Sequence, residues 1–159
     1  MEKQYLAVVR GHCPEQGEID HPLKPDIDTY DKRSSQVAKP AQDALTRYER
    51  LATVELPVAV DRYPQTRYSL VRLRPVSGRR HQLRRHMKHI GYPIIGDAKH
   101  GKGVHNRFIA ERYDCQRLLL ACTRMALQHP VGGATVSLRA DPGESFRTLL
   151  SAFGWSCPQ

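Results

Sequence analysis

At 159 residues the chain is long enough for one domain and too short for two ordinary ones, and its 40% hydrophobic content gives it the material for a core. Global disorder is therefore excluded, and so is a membrane-spanning helix, which needs about 20 apolar residues where Leu118 to Cys122 is as long as any apolar run here. The formal net charge of +9 points to an anionic partner, either nucleic acid or an acidic surface.

Lys3 to Gly11 reads as a strand closed by a glycine. Tyr5, Ala7 and Val9 fall on one face, Leu6 and Val8 on the other, so the strand expects cover on both sides. Residues 12 to 40 are punctuated by Pro14, Gly17, Pro22, Pro25 and Pro40, the pattern of a long connection with one short strand around Ile19 to Leu23. Residues 41 to 56 are ambiguous. Ala44, Leu45, Tyr48 and Leu51 fit helical spacing; Ala44, Thr46 and Tyr48 fit alternation; the local pattern slightly favours a helix. Arg67 to Arg74 is a cleaner strand, with Tyr68, Leu70, Arg72 and Arg74 on one face and Ser69, Val71 and Leu73 on the other.

A turn over Pro75 to Gly78, where Ser77 or Gly78 offers a cap, leads into a helix from Arg80 to Ile90, ended by Gly91 and Pro93. Leu83, Met87 and Ile90 form its apolar stripe; His81, Arg84, Arg85 and Lys88 form a basic one. Pro93 to Asp97 is a short strand or turn, and residues 98 to 113 read as a loop with some helical content. Arg117 to Gln128 is a strand with Leu118, Leu120 and Cys122 on one face, paired with Thr135 to Ala140. Glu144 to Phe153 closes the chain as a helix with Phe146, Leu149, Leu150 and Phe153 inward.

From Arg62 to Gly96 there is no acidic residue, yet there are nine lysines and arginines. A strand and the following helix loaded in this way form the footprint of a phosphate-backbone contact, and the interleaved Tyr63, Tyr68 and Tyr92 could stack on unpaired bases. The competing reading is a solvated basic face. His86 and His89 lie one helical turn apart, but no carboxylate or cysteine stands nearby to complete a metal site, so packing or phosphate contact is the better reading. Cys13, Cys115, Cys122 and Cys157 form no C-x-x-C pair, and the first residues carry no secretion signal. The expectation is reduced thiols in a cytoplasmic protein.

Gly78-Arg79-Arg80-His81-Gln82-Leu83-Arg84-Arg85-His86-Met87, followed by Gly91-Tyr92-Pro93-Ile94-Ile95-Gly96-Asp97, resembles a long and specific signature of the RluA-type RNA pseudouridine synthases. Lys3 to Gly11 resembles the family's tyrosine strand, and Leu119 to Thr123 with His129-Pro130 resembles the strand that closes its core. The segments Ile19 to Leu23 and Asp28 to Ala41 are most similar to the branch that acts on bacterial tRNA. The resemblance implies an α+β fold, a mixed, mainly antiparallel sheet with packed helices, in which Ala44 to Leu51 is a strand despite its helical pattern. It makes residues 1–159 the C-terminal portion of the catalytic domain.

The family carries its nucleophilic aspartate in a His-Arg-Leu-Asp motif ahead of the tyrosine strand, and these 159 residues contain no such motif. The expectation is a piece lacking about the first third of a family member and inactive alone. The alternative is a non-catalytic RNA-binding module. By carry-over, Tyr5 sits against the flipped base as stacking partner and proton acceptor. Arg84 lies beside the absent aspartate, a charge stranded in a pocket shaped for a pair. Arg79, Arg80, His81, Arg85 and Lys88 contact RNA, Ile95 and Leu120 line the pocket, and Asp97 is structural. No metal or organic cofactor is implied. The expected partner is RNA, tRNA before rRNA, with no membrane and with self-association through an exposed sheet edge.

Overall fold

The computed structural model describes residues 1–25 and 39–159. Residues 28–38 of the segment most similar to the tRNA-acting branch lie outside that range. Six strands form one sheet: β1 (Glu2–Arg10), β2 (Gln16–Asp20), β3 (Leu45–Leu56), β4 (Thr66–Pro75), β5 (Leu120–Gln128) and β6 (Thr135–Arg139), in the spatial order β2-β3-β4-β1-β5-β6. Three helices, α1 (Gln82–His89), α2 (Gly103–Tyr113) and α3 (Glu144–Ala152), complete the α+β fold. Every described ladder between strands is antiparallel, so the expected mixed character is not found there.

β1 sits between β4 and β5, and its alternation decides the layers. Ala7 and Val9 point to one face with Val71 and Leu73 of β4, where Leu83 and Met87 of α1 and Ile94 cover them. Leu6 and Val8 point to the other face with Tyr68 and Leu70, under Ile109 of α2 and Phe146, Leu149 and Leu150 of α3. Cover on both sides is what the two apolar faces of this strand demand, since each buried side chain of this size contributes about 1.5–3 kcal/mol.

The segment between α1 and α2 is welded to β1. Arg10 N–H donates to the Pro93 carbonyl at 3.0 Å and Ile95 N–H to the Val8 carbonyl at 2.9 Å. Gly96 follows at φ 83°, and a Cβ there would lie 1.8 Å from the Arg117 carbonyl oxygen, so only glycine fits. α1 ends as the sequence implies. Gly91 is left-handed at φ 87°, its N–H donates to the Lys88 carbonyl, and Tyr92 N–H donates to the Met87 carbonyl, a Schellman end.

The start of α1 differs from expectation. His81, itself left-handed at φ 53°, precedes Gln82 without a side-chain cap. Ser77 instead donates to Gln82 Oε1 and accepts from Leu45 N–H, tying the turn to β3. β2 runs over Gln16–Asp20, three residues before the predicted Ile19 to Leu23, because Gly17 pairs with Tyr48 and leaves room for its ring. The helical reading of residues 41–56 gives way to β3, which pairs with both β2 and β4. Tyr68 is no base-stacking residue: it is fully buried, stacked on Phe153 and hydrogen-bonded to His105.

Candidate active site

Tyr5 stands near the start of β1 on the α1 face, half-buried, and Arg84 projects from the first turn of α1. Both open onto one cleft of about 460 Å³, together with Leu120 of β5, Arg79 and His81 at the entry to α1, and Lys3. No carboxylate lines this cleft among the described residues. The fold thus brings together five of the sequence-predicted site residues: Tyr5, Arg84, Leu120, Arg79 and His81. Arg80, Arg85 and Lys88 lie outside the lining; Arg80 and Lys88 are exposed, and Arg85 donates to the Lys24 carbonyl at 2.7 Å. Ile95 does not line the cleft. It is 1% exposed and packs with Leu6, Val8 and Tyr68 on the opposite side of the sheet, because its neighbour Ile94 takes the α1 face.

Arg84 is not a stranded charge. Its Nε and Nη2 donate to the two oxygens of Asp97, each at 2.7 Å, a bidentate pair with the Asp97 side chain fully buried. Burial pushes the Asp97 carboxyl up, but the Arg84 guanidinium and the N–H groups of His100 (2.8 Å) and Lys99 (3.0 Å) outweigh it and hold the pKa below the ordinary value. Asn106 secures the turn, donating to the Asp97 carbonyl at 3.0 Å and accepting from Gly96 N–H at 2.7 Å. The sequence reading missed this partnership. Its only signal was an aspartate directly after a glycine that must turn the chain.

The remaining groups set the character of the cleft. Burial, then the neighbouring Cys122, raises the Tyr5 pKa, so its phenol is protonated at neutral pH. His81 Nδ1 lies 3.3 Å from His100 Nε2, and burial lowers the His100 pKa even though Asp97 favours its charge. Arg79 Nε donates to the Asp43 carbonyl at 3.0 Å, which fixes one rim of the cleft against the approach to β3. Two polar residues of α1 turn inward where the pattern gave no hint of it. Gln82 donates to the Leu45 carbonyl and to Thr46, and His86 is bonded to Thr46 Oγ1 and the His21 carbonyl. His89 stacks on His21 at 3.6 Å, so these histidines serve packing; among the described residues no group of three metal-type ligands occurs.

A family model described as RNA pseudouridylate synthase matches residues 1–89, more than half of the chain. The chain belongs to that family. Members similar to it include the tRNA pseudouridine synthase C of Vibrio cholerae, 44% identical over 155 residues that cover 98% of this chain and 64% of the relative. The enzyme of the same name from Yersinia pestis is 44% identical over 98% of this chain and 61% of its own length, and that from Haemophilus ducreyi is 45% identical over 98% and 63%. The chain thus spans about three-fifths of the length of these curated relatives. The solved structure of human RNA Pseudouridylate Synthase Domain Containing 1 superposes with a TM-score of 0.65 at 24% identity, covering 98% of this chain and 66% of that one, and it supports the fold. Membership in the synthase family fits a cleft built from the tyrosine strand and the arginine helix.

Proposed function

We propose that the chain forms the base-binding wall of an RNA pseudouridine synthase active site, with tRNA rather than ribosomal RNA as its substrate. One observation carries the reading: in a chain of this family, Tyr5 and Arg84 come from separate elements onto one basic cleft that no carboxylate lines among the described residues. A flipped uridine would rest against Tyr5 and Leu120. A nucleophilic aspartate from outside these 159 residues attacks the nucleoside, the glycosidic bond breaks, and uracil turns and rejoins the sugar through carbon. Arg84, clamped by Asp97, keeps that aspartate ionised and oriented. Tyr5 enters as a neutral phenol that stacks on the base; it gives its proton to N1 of the departing uracil, and the resulting phenolate takes the proton that C5 releases as the new bond forms and the aspartate leaves the sugar. Arg79, Arg80, His81, Arg85 and Lys88 hold RNA phosphates. The scheme requires no cofactor, and four free cysteines accord with a cytoplasmic setting.

The test is pseudouridine formation in bacterial tRNA, measured by mass spectrometry of digested RNA. The chain alone should form none. Co-expression with a polypeptide carrying a His-Arg-Leu-Asp segment should restore turnover, and Arg84→Ala in that pair should lower it at least about a hundredfold. Turnover by the chain alone, or restored activity indifferent to Arg84, overturns the proposal. RNA binding by an inactive pair would instead favour a non-catalytic RNA-binding module.

A further inference from the structure

A second cavity of about 350 Å³ lies at the other end of β1, and none of the proposed site residues lines it. Among its lining residues is His105 of α2, 3% exposed, whose Nε2 has no hydrogen-bond partner among the described residues. Nδ1 of the same ring lies 2.9 Å from the hydroxyl of the fully buried Tyr68. With the ring proton on Nε2, Tyr68 donates to Nδ1 and a single buried group is left over. The opposite tautomer would leave two, the phenolic hydrogen and Nε2, so the first is favoured. Burial pushes the His105 pKa down to about 4, which keeps the ring neutral. The cavity is therefore lined by a residue whose buried ring N–H has no acceptor among the described residues.

Arg10 lines the same cavity, near enough to His105 and Tyr68 to influence both, and it has no carboxylate partner among the described residues. The other charges at this end pair off, Arg67 with Glu55 at 3.0 Å and Asp61 with Lys102. Two rings complete the walls: Tyr63, 57% exposed at the mouth, and Tyr92, packed over Gly11. Both tyrosines belong to the acid-free basic stretch, yet the cleft uses neither.

One buried donor, one cation without a carboxylate partner and two aromatic walls call for a flat, carbonyl-bearing anion, and the volume suits a ligand of nucleotide size. We infer that this cavity is a second nucleotide site, which holds an unpaired nucleotide of the bound RNA with its base beside Tyr63 and its phosphate on Arg10. The inference rests on the RNA reading above. Tyr5 and Arg10 are five residues apart, roughly 17 Å at strand rise, and leave β1 on opposite faces. The nucleotide held here is therefore distinct from the reacting one.

The test uses the 159-residue chain, fluorescent bacterial tRNA at low salt, and uridine 5′-monophosphate. The nucleotide should move the ring ¹⁵N resonance of His105 Nε2. Tyr63→Ala, an exposed position whose melting curve should match the wild type, should weaken tRNA binding at least about fivefold. His105→Gln, which keeps an acceptor for Tyr68, should weaken it as well. Lys88→Glu, on the outer face of α1, is the control. If Lys88→Glu weakens binding while Tyr63→Ala and His105→Gln do not, the second site is wrong and the RNA reading stands. If the wild type binds no tRNA, both are wrong. If the mononucleotide moves the His105 resonance but tRNA affinity ignores Tyr63→Ala, the cavity takes free nucleotides and its assignment to RNA is overturned.

Discussion

Arg84 and Asp97 act as a unit, and the unit has a measurable stability. A bidentate pair with one partner fully buried leaves a poorly solvated charge behind when the other is removed. Asp97→Asn should destabilise the chain by about 3–5 kcal/mol in urea unfolding, whereas a cost under about 1 kcal/mol would mean solvent compensates Arg84. The pH dependence has two sources of the same sign, because both pKa values are lowered in the folded chain. The Asp97 pKa is lowered in the folded chain, so its contribution is present above the ordinary carboxyl value and is lost as pH falls through the folded value. His105 is lowered from 6.5 to about 4 by burial, so the unfolded state takes up the proton first and stability falls as pH drops from above 6.5 toward 4. That loss should reach about 3 kcal/mol at most, and His105→Gln should flatten it. Equal slopes for both proteins between pH 7 and pH 4 would refute the assignment. Arg84 was legible in the sequence because its motif is long and fixed in spacing. Its partner was not, since Asp97 reaches it only through the turn that Gly96 permits.

At the scale of elements, α1 divides its labour between a packed stripe and a charged one. Leu83, Met87 and Ile90 reach the core as their spacing implies, and Lys88 stays outside. If Lys88 touches a phosphate, Lys88→Ala should lower tRNA affinity and reduce the slope of log affinity against log salt by about 0.7–0.9. An unchanged slope would remove Lys88 from the interface. The two glycines that follow α1 should behave differently. Gly91→Ala meets nothing within 4 Å and should cost only the left-handed backbone penalty of about 1–2 kcal/mol, whereas Gly96→Ala should prevent folding. Elements with a strong period were legible: β1, β4, α1 and α3. Those decided by partners were not. β3 carries a weak helical pattern that its ladders to β2 and β4 override. α2 buries only His105 and Ile109, too sparse a stripe to read as a helix. Tyr68 alternates with Arg72 and Arg74 and so read as part of a basic face, but that face of β4 runs from open surface at Arg74 to the packed core under α3.

For the whole molecule, the open sheet is the feature with consequences. β1 and β4 are paired on both sides, while β2 and β6 have a described strand on one side only. Unpaired strand edges offer backbone N–H and C=O groups to another chain, and short strands with charged side chains blunt that tendency. β2 is five residues long and carries Glu18 and Asp20, so it is guarded. β6 is equally short but carries one charge, Arg139, beside Leu138 at 50% exposure, and Val131 in the preceding turn is 78% exposed. Edge pairing should therefore favour β6. In sedimentation velocity the wild-type chain should gain mass with concentration over the micromolar range. Leu138→Lys, which puts a charge on that strand, should remain monomeric, and Glu18→Ala on the other edge should change little. A wild-type chain that stays monomeric throughout would show that β6 is protected. Association that survives Leu138→Lys but is abolished by changes on β2 would place the interface at the opposite edge.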